Sequence, residues 1–125
     1  MNFAIVALGG ALGAMARYGI SLHLPSFDAS RHFPLATLMA NTIGSLLIGF
    51  VIAALFAGGR LGEEWRLFMV VGLLGGFTTF SAFSPETLML VQAGRPATAA
   101  LYAVISLVGI PALCAIGWWL GRAVS

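Results

Sequence analysis

The 125-residue sequence contains no lysine, and charged side chains make up only 8% of it. An ordinary soluble domain carries about 25%. A surface so poor in charge excludes solvation by water on all sides. It also excludes the clustered basic face that nucleic-acid binding requires; the sequence pI near 9.3 arises from six arginines set against four acids. The single cysteine, Cys114, sits in an apolar run. It has no partner for an intrachain disulfide and reads as a small buried hydrophobe. No carboxylate pair or metal-ligand cluster is evident, and His23 and His32 fall in a polar connection, so the sequence gives no support to an enzyme. Ahead of the first apolar stretch there is no basic segment, and no convincing cleavage site follows it. That stretch is expected to be a retained helix rather than a secretory leader.

What the sequence has instead is apolar surface: 60% of its residues are hydrophobic. A hydrocarbon layer about 30 Å thick takes about 20 apolar residues per helix. The sequence therefore predicts a single-domain, all-α membrane protein of four transmembrane helices over roughly residues 3–22, 35–57, 66–91 and 97–121. His23, Pro25, Asp28, Arg31, His32 and Pro34 mark the first connection, Gly58 to Trp65 the second, and Gln92 to Pro96 the third. Trp118 and Trp119 stand where an interfacial aromatic belt is expected. Four spans put both termini on one side.

Orientation normally follows the cytoplasmic excess of Lys and Arg. Here Arg60, Arg66 and Arg122 fall on the side of the termini, while Arg31, Arg95 and the end of the first helix with Arg17 fall on the other. The vote is a tie. Two explanations are open: a weak bias resolved by other features, or insertion in both orientations with assembly as an antiparallel dimer.

In lipid, helices associate by close packing, and small residues every fourth position let backbones approach. Gly9 and Gly13, Ser45 and Gly49, and Gly72 and Gly76 are so spaced, and Gly109 and Gly117 lie two such steps apart with Leu113 between them. Thr37 and Asn41 precede Ser45 on the same face, and Arg17 continues the stripe of Gly13. Asn41 has two possible roles, a hydrogen bond to a neighbouring helix or a place on a polar path. Arg17 either reaches the interface along its aliphatic stem or sets a positive charge at the mouth of a pathway. Glu86 is the one carboxylate within a span, and its position just after Ser84 and Pro85 favours an anchoring role in a helix's first turn.

The segment GGFTTFSAFSPE, Gly75 to Glu86, is the most informative. Gly75, Gly76 and Pro85 weaken a helix there, and the break is expected near Gly75–Thr79. Non-helical backbone inside a bilayer survives only within protein or beside a cavity. Freed carbonyls suit a hard cation such as Na⁺; hydroxyls and amides suit an anion. Phe80 and Phe83, three apart, could pack, or could turn their electropositive edges toward a passing anion.

These residues carry a likeness. ATLMANTIGSLLIG (Ala36 to Gly49), GLLGGFTTFSAFSPE (Gly72 to Glu86) and GGALGAMARY (Gly9 to Tyr18) resemble the Fluc/CrcB fluoride channel family over nearly the whole chain. The resemblance implies a fluoride-selective passive channel in the cell inner membrane that exports fluoride, built as an antiparallel, dual-topology homodimer. It implies a structural Na⁺ at the dimer centre, held by the main-chain carbonyls of Gly75 and Thr78. Asn41, Phe80 and Phe83 would line the fluoride pathway. Thr79 and Ser81 match polar positions of the motif, Tyr102 and Ser106 resemble a polar track on the last helix, and Arg17 would stand at the aqueous vestibule. Three positions depart from the pattern: Ala36 and Ala82 replace a common glycine and a common hydroxyl, and Ile110 interrupts the polar track one turn beyond Ser106. The alternative is a small dual-topology multidrug transporter. That class needs an acid in its first helix, where this sequence has only Arg17. A non-transporting scaffold would have no use for hydroxyls around a broken helix.

Overall fold

The computed structural model describes every residue except 57, 58 and 60. The described residues are all helical or irregular, with no strand. Helix α1 is Asn2–Leu22, α2 is Leu35–Phe56 and α5 is Pro96–Ala123. Each of these three is long and apolar enough to cross a membrane. Between α2 and α5 lie two shorter helices, α3 over residues 63–77 and α4 over Phe83–Gln92. The expected end of the second span at Ala57, and Arg60 of the charge count, lie outside the described residues.

Two helix pairs form the frame, and glycine decides both. Against α1, a Cβ on Gly13 would lie 2.0 Å from the Leu73 carbonyl oxygen, and one on Gly76 would lie 2.6 Å from that of Gly10. Against α2, a Cβ on Gly117 would lie 2.0 Å from the Leu46 oxygen, and one on Gly49 would lie 2.0 Å from that of Cys114. Backbone thus meets backbone in α1–α3 and in α2–α5. In both pairs the contacts advance together along the two chains, so each pair is parallel. Gly109, spaced like the others, touches nothing beyond its own helix. Gly117→Val is therefore expected to wedge α2 from α5 at a cost of about 3 kcal/mol or more. The check is the yield of monodisperse protein in detergent, with Gly109→Ala as the tolerated control.

The break in the third apolar segment falls within the expected Gly75–Thr79 stretch, at its far end. Gly75 is still helical (φ −64°, ψ −39°), and the chain leaves the helix at Thr78, which is extended (φ −83°, ψ 154°). Residues 78–82 are irregular before α4 begins at Phe83. The Gly75–Gly76 pair does not act as a breaker, because Gly76 is committed to the close contact with α1. Pro85 does not break the chain either. It occupies the first turn of α4, where an amide has no partner within the helix and its absence costs nothing. In α5 the stretch Ile105–Gly109 winds as a π-helix just ahead of Pro111, which offers no N–H to the preceding turn.

The connection between α1 and α2 folds over one end of the bundle. Asp28 accepts hydrogen bonds from the Ser30 amide (2.9 Å) and hydroxyl (2.6 Å), which hold its carboxyl below the ordinary range. Arg95, in the turn before α5, donates to the carbonyls of Ala29 (3.0 Å) and His32 (3.1 Å). Beneath this cover lies an apolar cluster of Phe83, Leu90, Ala99 and Tyr102, joined by Phe27, Phe33 and Leu38.

Candidate functional site

The irregular segment 78–82 needs partners for its backbone, and α2 provides them through one side chain. The Asn41 amide nitrogen donates to the Thr79 carbonyl (2.8 Å), while the Thr79 amide donates to the Asn41 side-chain oxygen (2.6 Å). The amide group reproduces a strand-like pairing with a single residue. Gly44, one turn on, lies against the Thr78 methyl group; a Cβ there would come within 2.3 Å of it. An Asn NH₂ has two hydrogens. One is spent on Thr79 and one remains.

Thr78 turns its hydroxyl back to the Leu74 carbonyl (3.0 Å), and Thr79 and Ser81 share a hydroxyl–hydroxyl bond of 2.8 Å. The Ala82 amide donates to the Thr79 hydroxyl at 3.3 Å. Among the described residues, no hydrogen bond reaches the carbonyls of Gly75 or Thr78. These two are the orphans of the break.

Beside the segment is an open cavity of about 380 Å³, lined by Asn41, Ser45, Gly75, Thr78, Thr79, Phe80, Phe83, Ser106 and Ile110. The structure thus gathers most of the residues singled out by sequence around one space. The lining contains no carboxylate. The Ser106 hydroxyl is buried with no hydrogen-bond partner. A buried hydroxyl without a partner costs roughly 1–3 kcal/mol. The rings of Phe80 and Phe83 lie 5.0 Å apart between centroids, Phe83 buried and Phe80 65% exposed.

Three residues stand apart from this cavity. Tyr102 is fully buried, packed at a tilt of 57° against Phe83 (5.0 Å) and met edge-on by Phe33 (5.4 Å). Its hydroxyl donates to Glu86 at 2.7 Å, and the other Glu86 oxygen accepts from Thr37, also at 2.7 Å. The carboxylate ties α2, α4 and α5 together, in keeping with the anchoring role expected of it. The sequence does not disclose its partners, because Thr37 and Tyr102 are far from it along the chain. Arg17 lines a neighbouring cavity of about 420 Å³ with Ser21, Pro25, Thr37 and Glu86 among others, and its Nε approaches the Gly76 carbonyl at 3.5 Å. Ser81 is exposed at the end of the break.

The spacing of small residues marks Ser45 only as a packing residue, yet it lines the cavity. Its position one turn from Asn41 is the signal that could have placed it there.

An all-helical chain with several helices able to cross a membrane, holding a cavity of unpaired donors beside a broken helix, defines a multi-pass membrane protein built to pass or bind a polar solute. A family model described as CrcB-like protein, Camphor Resistance (CrcB), matches residues 4–118, and the chain belongs to that family. It is 48% identical over 118 residues to a protein of Symbiobacterium thermophilum named fluoride-specific ion channel FluC 2, covering 94% of this chain and 91% of that one. It is 46% identical over 122 residues to a fluoride-specific ion channel FluC of Thermus thermophilus, covering 98% and 96%. A FluC 2 of Nitrobacter hamburgensis is 39% identical over 123 residues, covering 98% and 95%.

Proposed function

We propose that this chain is a fluoride-selective passive channel that exports fluoride across the cell inner membrane. The observation that carries the reading is a carboxylate-free cavity holding an unpaired hydroxyl and a spare amide hydrogen, in a family whose relatives bear that activity in their names. Fluoride is small and strongly hydrated, so it leaves water only where close donors replace its shell. Ser106 and Asn41 are such donors. Phe80 and Phe83 flank the same space, and their ring edges carry the favourable sign for an anion. Thr79 borders the same space; Ser81 and Tyr102, which stand outside the cavity, would extend the polar line beyond it, and Arg17 would draw anions toward it.

The working unit is a homodimer of antiparallel copies, with α3 and α4 acting as one broken third span. Support comes from the exposed side of the break. Irregular backbone cannot face hydrocarbon. In the single chain Phe80, inside the break, is mostly exposed, and so is Gly75 in the helix just before it. A second copy over this face would shield both. The tied charge count suits insertion in both orientations.

The orphan carbonyls of Gly75 and Thr78 fit a hard monovalent cation. Two copies related by a two-fold axis would offer four such oxygens, and these residues would hold a structural Na⁺ between the subunits. Bound there, the ion supplies a fixed positive charge that steadies the dimer.

The test is efflux from liposomes bearing the purified protein, followed with a fluoride electrode and repeated with chloride. Fast fluoride efflux without a proton gradient, and little chloride efflux, is the expected result. Coupling to a proton gradient, or transport of organic cations in place of fluoride, would return the chain to the drug-transporter reading. Phe80→Ile and Phe83→Ile are each expected to slow fluoride efflux by roughly tenfold or more, the scale of about 1.4 kcal/mol of lost pathway stabilisation, with the dimer retained. Unchanged efflux in both removes the rings from the path.

A further inference from the structure

The parallel packing of α2 on α5 sets two stripes of side chains face to face. Gly49 meets Cys114 backbone to backbone. Counting back four residues at a time along both helices pairs Ser45 with Ile110, Asn41 with Ser106 and Thr37 with Tyr102. The last pair is joined through Glu86, and the middle two pairs line one cavity. Every rung of the α5 stripe from Tyr102 toward Cys114 carries a hydroxyl or thiol except Ile110. At that rung the hydroxyl is on α2.

Hydroxyls in helices ordinarily donate to the carbonyl one turn back. Thr78, Ser84 and Thr87 all do so here, at 3.0, 3.3 and 2.8 Å. Ser45 does not, and among the described residues its hydroxyl makes no hydrogen bond at all. It is half-buried on the cavity wall, beside a buried Ser106 hydroxyl that also has no partner. Two unpaired hydroxyls, one from α2 and one from α5, thus line the same cavity.

We infer that Ser45 is a fluoride-contacting donor, supplying from α2 the hydroxyl that α5 lacks at Ile110. The inference rests on the fluoride-channel reading and extends it by one residue and one rung of the path. Ser45 hands the ion on from Asn41 and Ser106, one helical turn further along α2.

The experiment is fluoride efflux from liposomes carrying the full chain as wild type, Ser45→Ala, Ser45→Thr and the double variant Ser45→Ala with Ile110→Ser, each confirmed as the wild-type oligomer by size-exclusion chromatography. Ser45→Ala is expected to slow efflux roughly ten- to a hundredfold, the loss of one hydrogen bond to an ion. Ser45→Thr keeps the hydroxyl and is expected to slow efflux far less than Ser45→Ala. The double variant returns the hydroxyl from α5 and recovers most of the rate. Unchanged efflux in Ser45→Ala overturns the inference. So does a slow Ser45→Ala that Ile110→Ser leaves slow, since position 45 would then act through helix packing. A wild-type chain that passes no fluoride overturns the channel reading itself, and the wild-type trace distinguishes that failure from the others.

Discussion

Asn41→Asp is expected to abolish fluoride efflux while the protein still folds. The aspartate is nearly the same size as the amide it replaces, so the passage of α2 beside the break is preserved. Its carboxylate can still accept from the Thr79 amide, now as a charge-assisted bond. Two things are lost. The donor to the Thr79 carbonyl becomes a second oxygen facing an oxygen, and the spare N–H into the cavity disappears. A full negative charge takes its place on the cavity wall. Two like charges about 4 Å apart repel by roughly 4 kcal/mol at an effective dielectric of 20. That corresponds to about a thousandfold in the occupancy of the path by an anion. Asn41→Ala separates the two losses. It removes the clamp on residues 78–82 without adding charge, and is expected to lower the thermal midpoint as well as the flux. Thermal unfolding in detergent, measured beside liposome efflux, distinguishes the variants. Near-normal efflux in Asn41→Asp would confine the side chain to its structural bond with Thr79.

The second large effect is expected at Glu86. Its two oxygens receive the hydroxyls of Thr37 and Tyr102, and among the described residues no basic side chain bonds to it. Hydrogen bonds to a charged group contribute about 1.5–3 kcal/mol each. Glu86→Ala deletes both and leaves two hydroxyls without partners, one on the fully buried Tyr102. A loss of several kcal/mol is a large fraction of the total stability of a small domain. The expected result is little or no monodisperse protein. Glu86→Gln keeps the shape, accepts from Tyr102 through its carbonyl and offers its NH₂ to the Thr37 oxygen. It is expected to fold and to unfold at a lower temperature than the wild type. Tyr102→Phe completes the comparison by removing one bond only. If Glu86→Ala folds with an unchanged midpoint, the carboxylate does not hold the three helices together.

Both expectations turn on side chains that join segments remote in sequence, and this marks the division between what sequence and structure each contributed. Composition alone settled the solvent: with so few charges and so much apolar surface, these helices belong in lipid. Spacing alone marked the glycine faces, since only residues without a Cβ admit backbone contact and such residues recur once per turn. The hydroxyl-rich segment announced a break, because that many donors in an apolar span need partners. The break fell within the expected Gly75–Thr79, but its exact residue was another matter. Gly75–Gly76 looked like the weak point, but Gly76 is held helical by its contact with α1, and the chain opens at Thr78, where Asn41 offers a replacement partner. Pro85 looked like a breaker and proved to be a helix start. Local propensity could not rank these outcomes, since each was decided by a neighbour far along the chain. The same holds for the facing stripes of α2 and α5. The periodicity of each is written in the sequence, but their register, which pairs Ser45 with Ile110 and Asn41 with Ser106, exists only once Gly49 and Gly117 let the two backbones meet.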